Sequence, residues 1–475
     1  MCVEISDVFT SSQHTVPSPD GEFVAALGGG RLTVRSVASQ ELVRSIAVGA
    51  GAGSKATWLR WGPGAPRKLL VADDEGARVW DLGDTKWSAT IDNGSAGMGR
   101  IVHADFGGSA DEVLLASDFA AKLTVWSLRS GRSVEIRDPK FTTGRGFGYR
   151  PRSGIFSLLS RPGPHDVVTL HAPGTYKVMR TLALPTVDAQ GLRWSPDGRW
   201  LAAWDTASAG CKVVVYTADG NLYRTYTGAG MGADDVPEGL GLGVCSVAWT
   251  PRADMLAVSG HDGRVALLGT RTFSPAAILA HAPAVRLPHG PVVVEQVTAA
   301  RERRYEPATQ PLTPPRAPEP TPPARVALLA FDAAGTALAT RDDAAPTTLW
   351  LWDLARLAPL AVVVQHAPIR TLRWHPSRAG LFLLLCAHDE PVLYVGDTRR
   401  NDAPRILRLP LNGPAARLDA CWVSTPLDRP PVCLVRGPAG HVLVWPDGRE
   451  AADDDPNEVS AAFDDSFGSS WLGTT

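Results

Sequence analysis

Residues 190–226 read QGLRWSPDGRWLAAWDTASAGCKVVVYTADGNLYRTY, and the punctuation of this stretch decides the fold. Gly191–Trp194 is a short strand closed by the turn Ser195-Pro196-Asp197-Gly198. Arg199–Trp204 is a second strand, with Asp205–Gly210 as its exit loop. Lys212–Tyr216 is a third, and Ala218-Asp219-Gly220 turns the chain into a fourth, Leu222–Tyr226. β-branched and aromatic runs mark the strands, while Pro, Asp and Gly preset the turns between them. Four short strands have two apolar faces and too little core of their own. Such a unit is stable only when stacked against others like it.

Copies exist. Aligning the end of the first strand of each unit gives the anchors Val16, Trp61, Phe106, Tyr149, Trp194, Trp249, Phe331, Trp374 and Trp422. Most follow one another at about 43–48 residues, a repeat period that marks a ring of four-stranded blades. Third strands recur as RLTVRSV, GARVWDL, KLTVWSL, KVVVYTA, RVALLGT, TLWLWDL and HVLVWPD. Trp80-Asp81 and Trp352-Asp353 stand where a WD repeat places its namesake pair, whereas Trp204-Asp205 ends a second strand. The expected fold is all-β, a WD40-type β-propeller forming a single closed ring of about nine blades, with seven or eight as the alternative. The aromatic anchors are expected to fill the gap between blades. The ninth unit lacks a convincing fourth strand, and Cys2–Phe9 is placed to supply it, so that no sheet edge is left open.

Expected boundaries are 1–447 for the propeller and 448–475 for a disordered acidic tail. That tail carries Phe463, Phe467 and Trp471 among acidic residues. A long insertion at 282–324 holds a short candidate strand, Val292–Val297, in its first half and continues as a Pro-rich loop expected to be disordered or polyproline-like. Gly228–Gly243 reads as a flexible surface loop.

Composition narrows the function. The chain has 475 residues, 47 basic and 49 acidic, for a net charge of −2. That balance gives no electrostatic case for nucleic acid or an anionic membrane. No apolar run reaches the roughly 20 residues of a membrane helix, and no signal peptide precedes the first strand. The six cysteines are scattered and read as buried thiols of a cytosolic protein. Gly228-x-Gly230 is not set in a βαβ unit, and the run Gly49–Lys55 lacks a phosphate-loop order. The reading is therefore not an enzyme, with no catalytic, cofactor-binding or metal-binding residues.

Several stretches resemble the WD repeat-containing protein 8 family, also called the WD-repeat protein antisense to the p73 tumour suppressor gene, in a fungal-like form. They are Asp7-Val8-Phe9 with SPDGEFVAALGGGRLTVRSV, WSATIDNGSAG from Trp87, LRWSPDGRWLAAWDT, SVAWTPRADMLAVSGHDG from Ser246, and VALLAFDAAGTALATRDD with TTLWLWDLARLAPLAVV. The resemblance implies a scaffold at the spindle pole body or centrosome. It implies binding to a coiled-coil microtubule-anchoring protein, indirect recruitment of a minus-end kinesin-14, and anchoring of microtubule minus ends in the mitotic spindle. It implies a cytoplasmic, cytoskeletal location and a monomeric propeller within a hetero-complex. Candidate partner contacts in family-like loops are Trp87, Asp92, Ser95, Trp204, Asp205, Arg341 and Asp342. A translation-initiation-type propeller and a ubiquitin-ligase substrate receptor are the alternatives.

Overall fold

In the computed structural model the repeats form nine sheets, eight of them wholly antiparallel. The structure describes residues 3–48, 58–64, 67–92, 99–118, 122–228, 242–318, 324–400, 402–413 and 417–449. Blades 1 to 9 span residues 15–47, 58–92, 101–137, 147–183, 191–226, 244–280, 326–364, 369–408 and 419–445. Residues 190–226 fold as read, with strands Gly191–Trp194, Trp200–Trp204, Val213–Thr217 and Leu222–Tyr226. The Ser195 turn closes through its own side chains: Ser195 Oγ donates to Asp197 Oδ1 at 2.5 Å and accepts the Trp200 N–H at 3.0 Å.

Each pair of neighbouring blades shares one apolar cluster, so nine clusters run round the ring and the last joins blade 9 to blade 1. The closing cluster packs Val24 and Val37 against Val423, Val432, Leu434, Leu443 and Trp445. Side chains alternate along a strand, so each sheet feeds two such clusters. Trp anchors add a hydrogen bond to this packing. Trp61 Nε1 donates to the Val16 carbonyl at 3.0 Å, Trp374 to Ala330 at 2.8 Å, and Trp422 to Arg373 at 3.0 Å. In each case the acceptor lies on the preceding blade. The anchors pack in or against these clusters, and an indole N–H withdrawn from water needs such a partner.

Closure follows the expected route. Glu4–Ile5 and Phe9–Thr10 pair in turn with Gly440–Trp445, in the registers Glu4↔Trp445 and Phe9↔His441. Ser6 Oγ accepts the Leu443 N–H at 2.9 Å, and Ser11 Oγ lies 2.9 Å from His441 Nδ1.

The insertion departs from expectation. Val292–Val297 does form a strand, but it pairs in parallel with Ala358–Val364, the outermost strand of blade 7, in the register Val292↔Val362. Arg303–Pro307 then pairs antiparallel with it, so blade 7 becomes a six-stranded sheet. The Pro-rich part is not disordered through Pro318. Leu312 and Val285 exchange backbone hydrogen bonds at 2.7 and 3.0 Å, and the Ala317 N–H donates to Ala344 at 2.9 Å. Ala308 and Leu312 pack on the cluster between blades 6 and 7, and that burial outweighs the freedom a Pro-rich loop would keep. Residues 229–241, 319–323 and 450–475 lie outside the described residues.

Candidate partner-binding surfaces

In each blade the start of the first strand, the end of the second and the end of the fourth lie on one face of the ring. The turns after the first and third strands lie on the other. Asp92, Trp204-Asp205 and Arg341-Asp342 sit on the first face, on blades 2, 5 and 7, and Trp87 sits on the second. They do not converge on one site. Ser95 lies outside the described residues.

Three of these positions, Trp204, Asp205 and Asp342, are buried and do not stand as contact residues. Asp205 has no exposed surface, and its carboxylate accepts the N–H groups of Val187 and Asp188 at 2.8 Å and of Thr206 at 2.9 Å. Trp204 is 8% exposed and fills the cluster between blades 5 and 6, where it fits because residue 191 is glycine: a Cβ there would lie 2.5 Å from the indole. The pair works inside the fold, fixing the loop between blades 4 and 5. Arg341 donates to the Ile369 carbonyl at 2.7 Å and to Asp343 at 2.5 Å, so it ties blade 7 to blade 8. Asp342 is buried, accepts the Ala344 N–H at 2.8 Å, and has its carboxyl pushed up by burial. Trp87 is half-buried against the cluster of blades 2 and 3, with Lys68 Nζ 4.7 Å from its ring centroid. Asp92 is exposed at the end of its strand.

A coherent exposed surface lies elsewhere, on the outer rim of blades 4 and 5. The chain enters the fourth strands as Lys177-Val178-Met179-Arg180 and Asn221-Leu222-Tyr223-Arg224, the strands starting at Val178 and Leu222, and blade 1 shows the same pattern as Glu41-Leu42-Val43-Arg44. All three are bulged. His171 pairs with Val178 and Leu170 with Arg180, so Met179 is the extra residue; Tyr223 and Val43 occupy the same place. A bulge breaks the alternation of faces and re-aims a side chain. Here it turns two successive apolar residues outward. Val178, Met179, Leu222 and Tyr223 are 58%, 60%, 51% and 46% exposed.

The two pairs are held together. Arg180 donates to the Asp219 carbonyl and, at 2.8 Å, to Asn221 Oδ1 on blade 5. Gly220 permits this approach, because a Cβ there would lie 2.5 Å from Leu182. The Tyr223 hydroxyl donates to the Arg271 carbonyl of blade 6 at 2.8 Å, and its ring lies 4.7 Å from Trp200. Exposed Lys177, Arg180, Arg224 and Arg271 border the patch. Sequence reading missed it because edge-strand residues are expected to alternate and a bulge carries no compositional mark; the repeated apolar-apolar-Arg signature was its one legible trace.

The hairpin on blade 7 is the second rim feature. Glu295, 3% exposed, accepts the Tyr394 hydroxyl of blade 8 at 2.6 Å, Arg303 Nη1 at 3.0 Å and the His366 N–H at 2.9 Å. Tyr394 also meets His388 Nε2 at 2.6 Å. Burial and the Glu295 carboxylate raise the Tyr394 phenol far above its ordinary range, so it stays a donor. Blade 7 also carries a relay: Trp352 Nε1 donates to Thr340 Oγ1 at 2.7 Å, and His281 Nε2 lies 2.7 Å from that hydroxyl. Among the described residues, no group of three or more His, Cys, Asp or Glu is placed to hold a metal ion.

Comparison with known proteins agrees with this architecture. The chain is 27% identical over 390 residues to mouse WD repeat-containing protein WRAP73, covering 77% of this chain and 80% of that protein. It is 26% identical over 396 residues to a WD repeat-containing protein of Schizosaccharomyces pombe, covering 80% and 77%. Among solved structures, a eukaryotic initiation factor aligns with TM-score 0.56 at 10% identity over 85% of this chain and 89% of that one. Saccharomyces cerevisiae Sqt1 aligns with TM-score 0.51 at 10% identity over 82% and 95%. At such identities these two likenesses concern the fold alone. No protein-family model matches the chain.

Proposed function

We propose that this WD-repeat propeller is a non-catalytic scaffold that binds a coiled-coil microtubule-anchoring protein at the spindle pole body or centrosome. Through that partner it helps recruit a minus-end kinesin-14, anchors microtubule minus ends and organises the mitotic spindle. The similarity to mouse WRAP73 over most of both chains supports the family reading. The rim of blades 4 and 5 carries the binding reading. Val178, Met179, Leu222 and Tyr223 offer an apolar strip, and the basic side chains around it suit an amphipathic helix with acidic flanks. Aromatic and Met side chains are the usual anchors of such a surface.

Co-purification with the coiled-coil partner from the same organism tests this. The double substitution Met179→Glu and Leu222→Glu is expected to abolish capture while leaving the melting temperature unchanged, because both side chains are exposed. Full capture by that folded variant would refute the rim as the binding surface. Trp87→Ala tests the contact expected from sequence: capture reduced beyond any loss of folded protein would support it.

A further inference from the structure

We propose that Thr313 is a phosphorylation site for a proline-directed kinase that selects a basic residue three positions downstream. Seven Ser-Pro or Thr-Pro pairs occur in the chain, and Thr313-Pro314-Pro315-Arg316 is the one with a basic residue at that distance. The fold then separates this site from the rest. Ser18, Ser195 and Thr250 are 3%, 0% and 1% exposed. Their hydroxyls are spent on Asp20, Asp197 and Asp254 inside the turns after the first strands. Ser274 is exposed but has Ala277 at the third position, and Thr425 is half-buried with Asp428 there. Thr321 lies outside the described residues and is followed at that distance by Ala324.

Thr313, Pro315 and Arg316 are exposed, while Pro314 between them is buried. The span is held at both ends, by the Leu312–Val285 bridge and by the Ala317 N–H on Ala344. A residue before proline is driven to extended backbone, and a Pro-rich segment makes no internal hydrogen bonds that a kinase cleft would have to break. Because Pro314 is buried, a kinase takes the span when it lifts between its two anchors. In the transfer, Thr313 Oγ1 attacks the γ-phosphorus of the kinase's Mg-bound ATP, the bond to the bridging oxygen breaks, the hydroxyl proton passes to the kinase's catalytic aspartate, and ADP leaves. The product places about −1.5 to −2 of charge in a sector whose exposed side chains include Arg286 and Arg316.

The test is site mapping by mass spectrometry after incubating the purified full chain with a cyclin-dependent kinase and Mg-ATP. The dominant phosphate is expected on Thr313 and is expected to vanish in Thr313→Ala. Arg316→Ala is expected to slow incorporation about tenfold, the worth of one charge-assisted contact. Both variants should melt with the wild type. Dominant incorporation at Ser274, Thr321 or Thr425, or a rate at Thr313 indifferent to Arg316→Ala, overturns the proposal. A folded chain left unmodified at Thr313 overturns it too, whether or not a control peptide of residues 308–318 is modified.

Discussion

Asp205 shows how a single side chain changes meaning with its place. Its carboxylate is the acceptor for three backbone N–H groups, two of them in the loop that enters blade 5. Asp205→Ala leaves those donors facing a void, and the expected loss is about 2–3 kcal/mol, read as a shift in urea midpoint at constant slope. Trp87→Ala uncovers the Lys68–Asp111 pair, whose separation is 2.5 Å. For a half-buried indole the expected cost is about 2 kcal/mol, below the range for a fully buried one. Buried histidines set the pH response. Burial pushes His281, His375 and His441 down to about 4. Unfolded, each binds a proton near pH 6.5. Between about pH 6.5 and 4 the unfolded chain holds more protons, so their contribution is full above 6.5 and is lost as pH falls. The predicted slope is up to about 1.4 kcal/mol per pH unit for each group. A melting temperature that stays flat from pH 7 to pH 5 would show that these rings are already solvated. From sequence, Trp204-Asp205 was legible as a displaced pair; its burial was not, because residue type does not say which neighbours close over it.

Strands and turns were read well because each carries its own punctuation. The bulges and the parallel strand addition were not. A bulge is one residue of register, and Val292–Val297 joins a partner some seventy residues onward, past the period that makes the other strands visible. The hairpin's attachment rests on Glu295. Val293 and Glu295 point to the blade 8 side and Val292 to the other, as alternation requires. Glu295→Gln keeps the size but removes the charge opposite Arg303, whose side chain is 7% exposed. Breaking one member of a buried ion pair costs about 3–5 kcal/mol. Because the hairpin is peripheral, the loss should be local: amide exchange is expected to quicken in residues 292–307 while blades 3 to 5 keep their protection. Uniform acceleration across the ring would mean that the insertion is integral to the global fold.

At the scale of the whole ring, the period and the aromatic ladder made the blade count legible, and the missing fourth strand of blade 9 pointed to the N-terminus. The two short latch segments cover a strand that is buried throughout, Gly440–Trp445. Without them that strand becomes an open edge, with the Leu443 N–H and the His441 ring stripped of Ser6 and Ser11. An open apolar edge is a template for pairing with another chain. Deleting residues 3–10 should therefore not simply lower the melting temperature. Blades 2 to 7 keep both neighbours, so far-ultraviolet dichroism should stay close to native. Light scattering on a sizing column should instead show oligomers whose fraction rises with protein concentration. A synthetic peptide of residues 1–13 added in trans supplies the same strand and is expected to return the chain to monomer. A truncated chain that remains monomeric without the peptide would mean that the cluster between blades 9 and 1 closes the ring by itself, and that the latch only seals its rim.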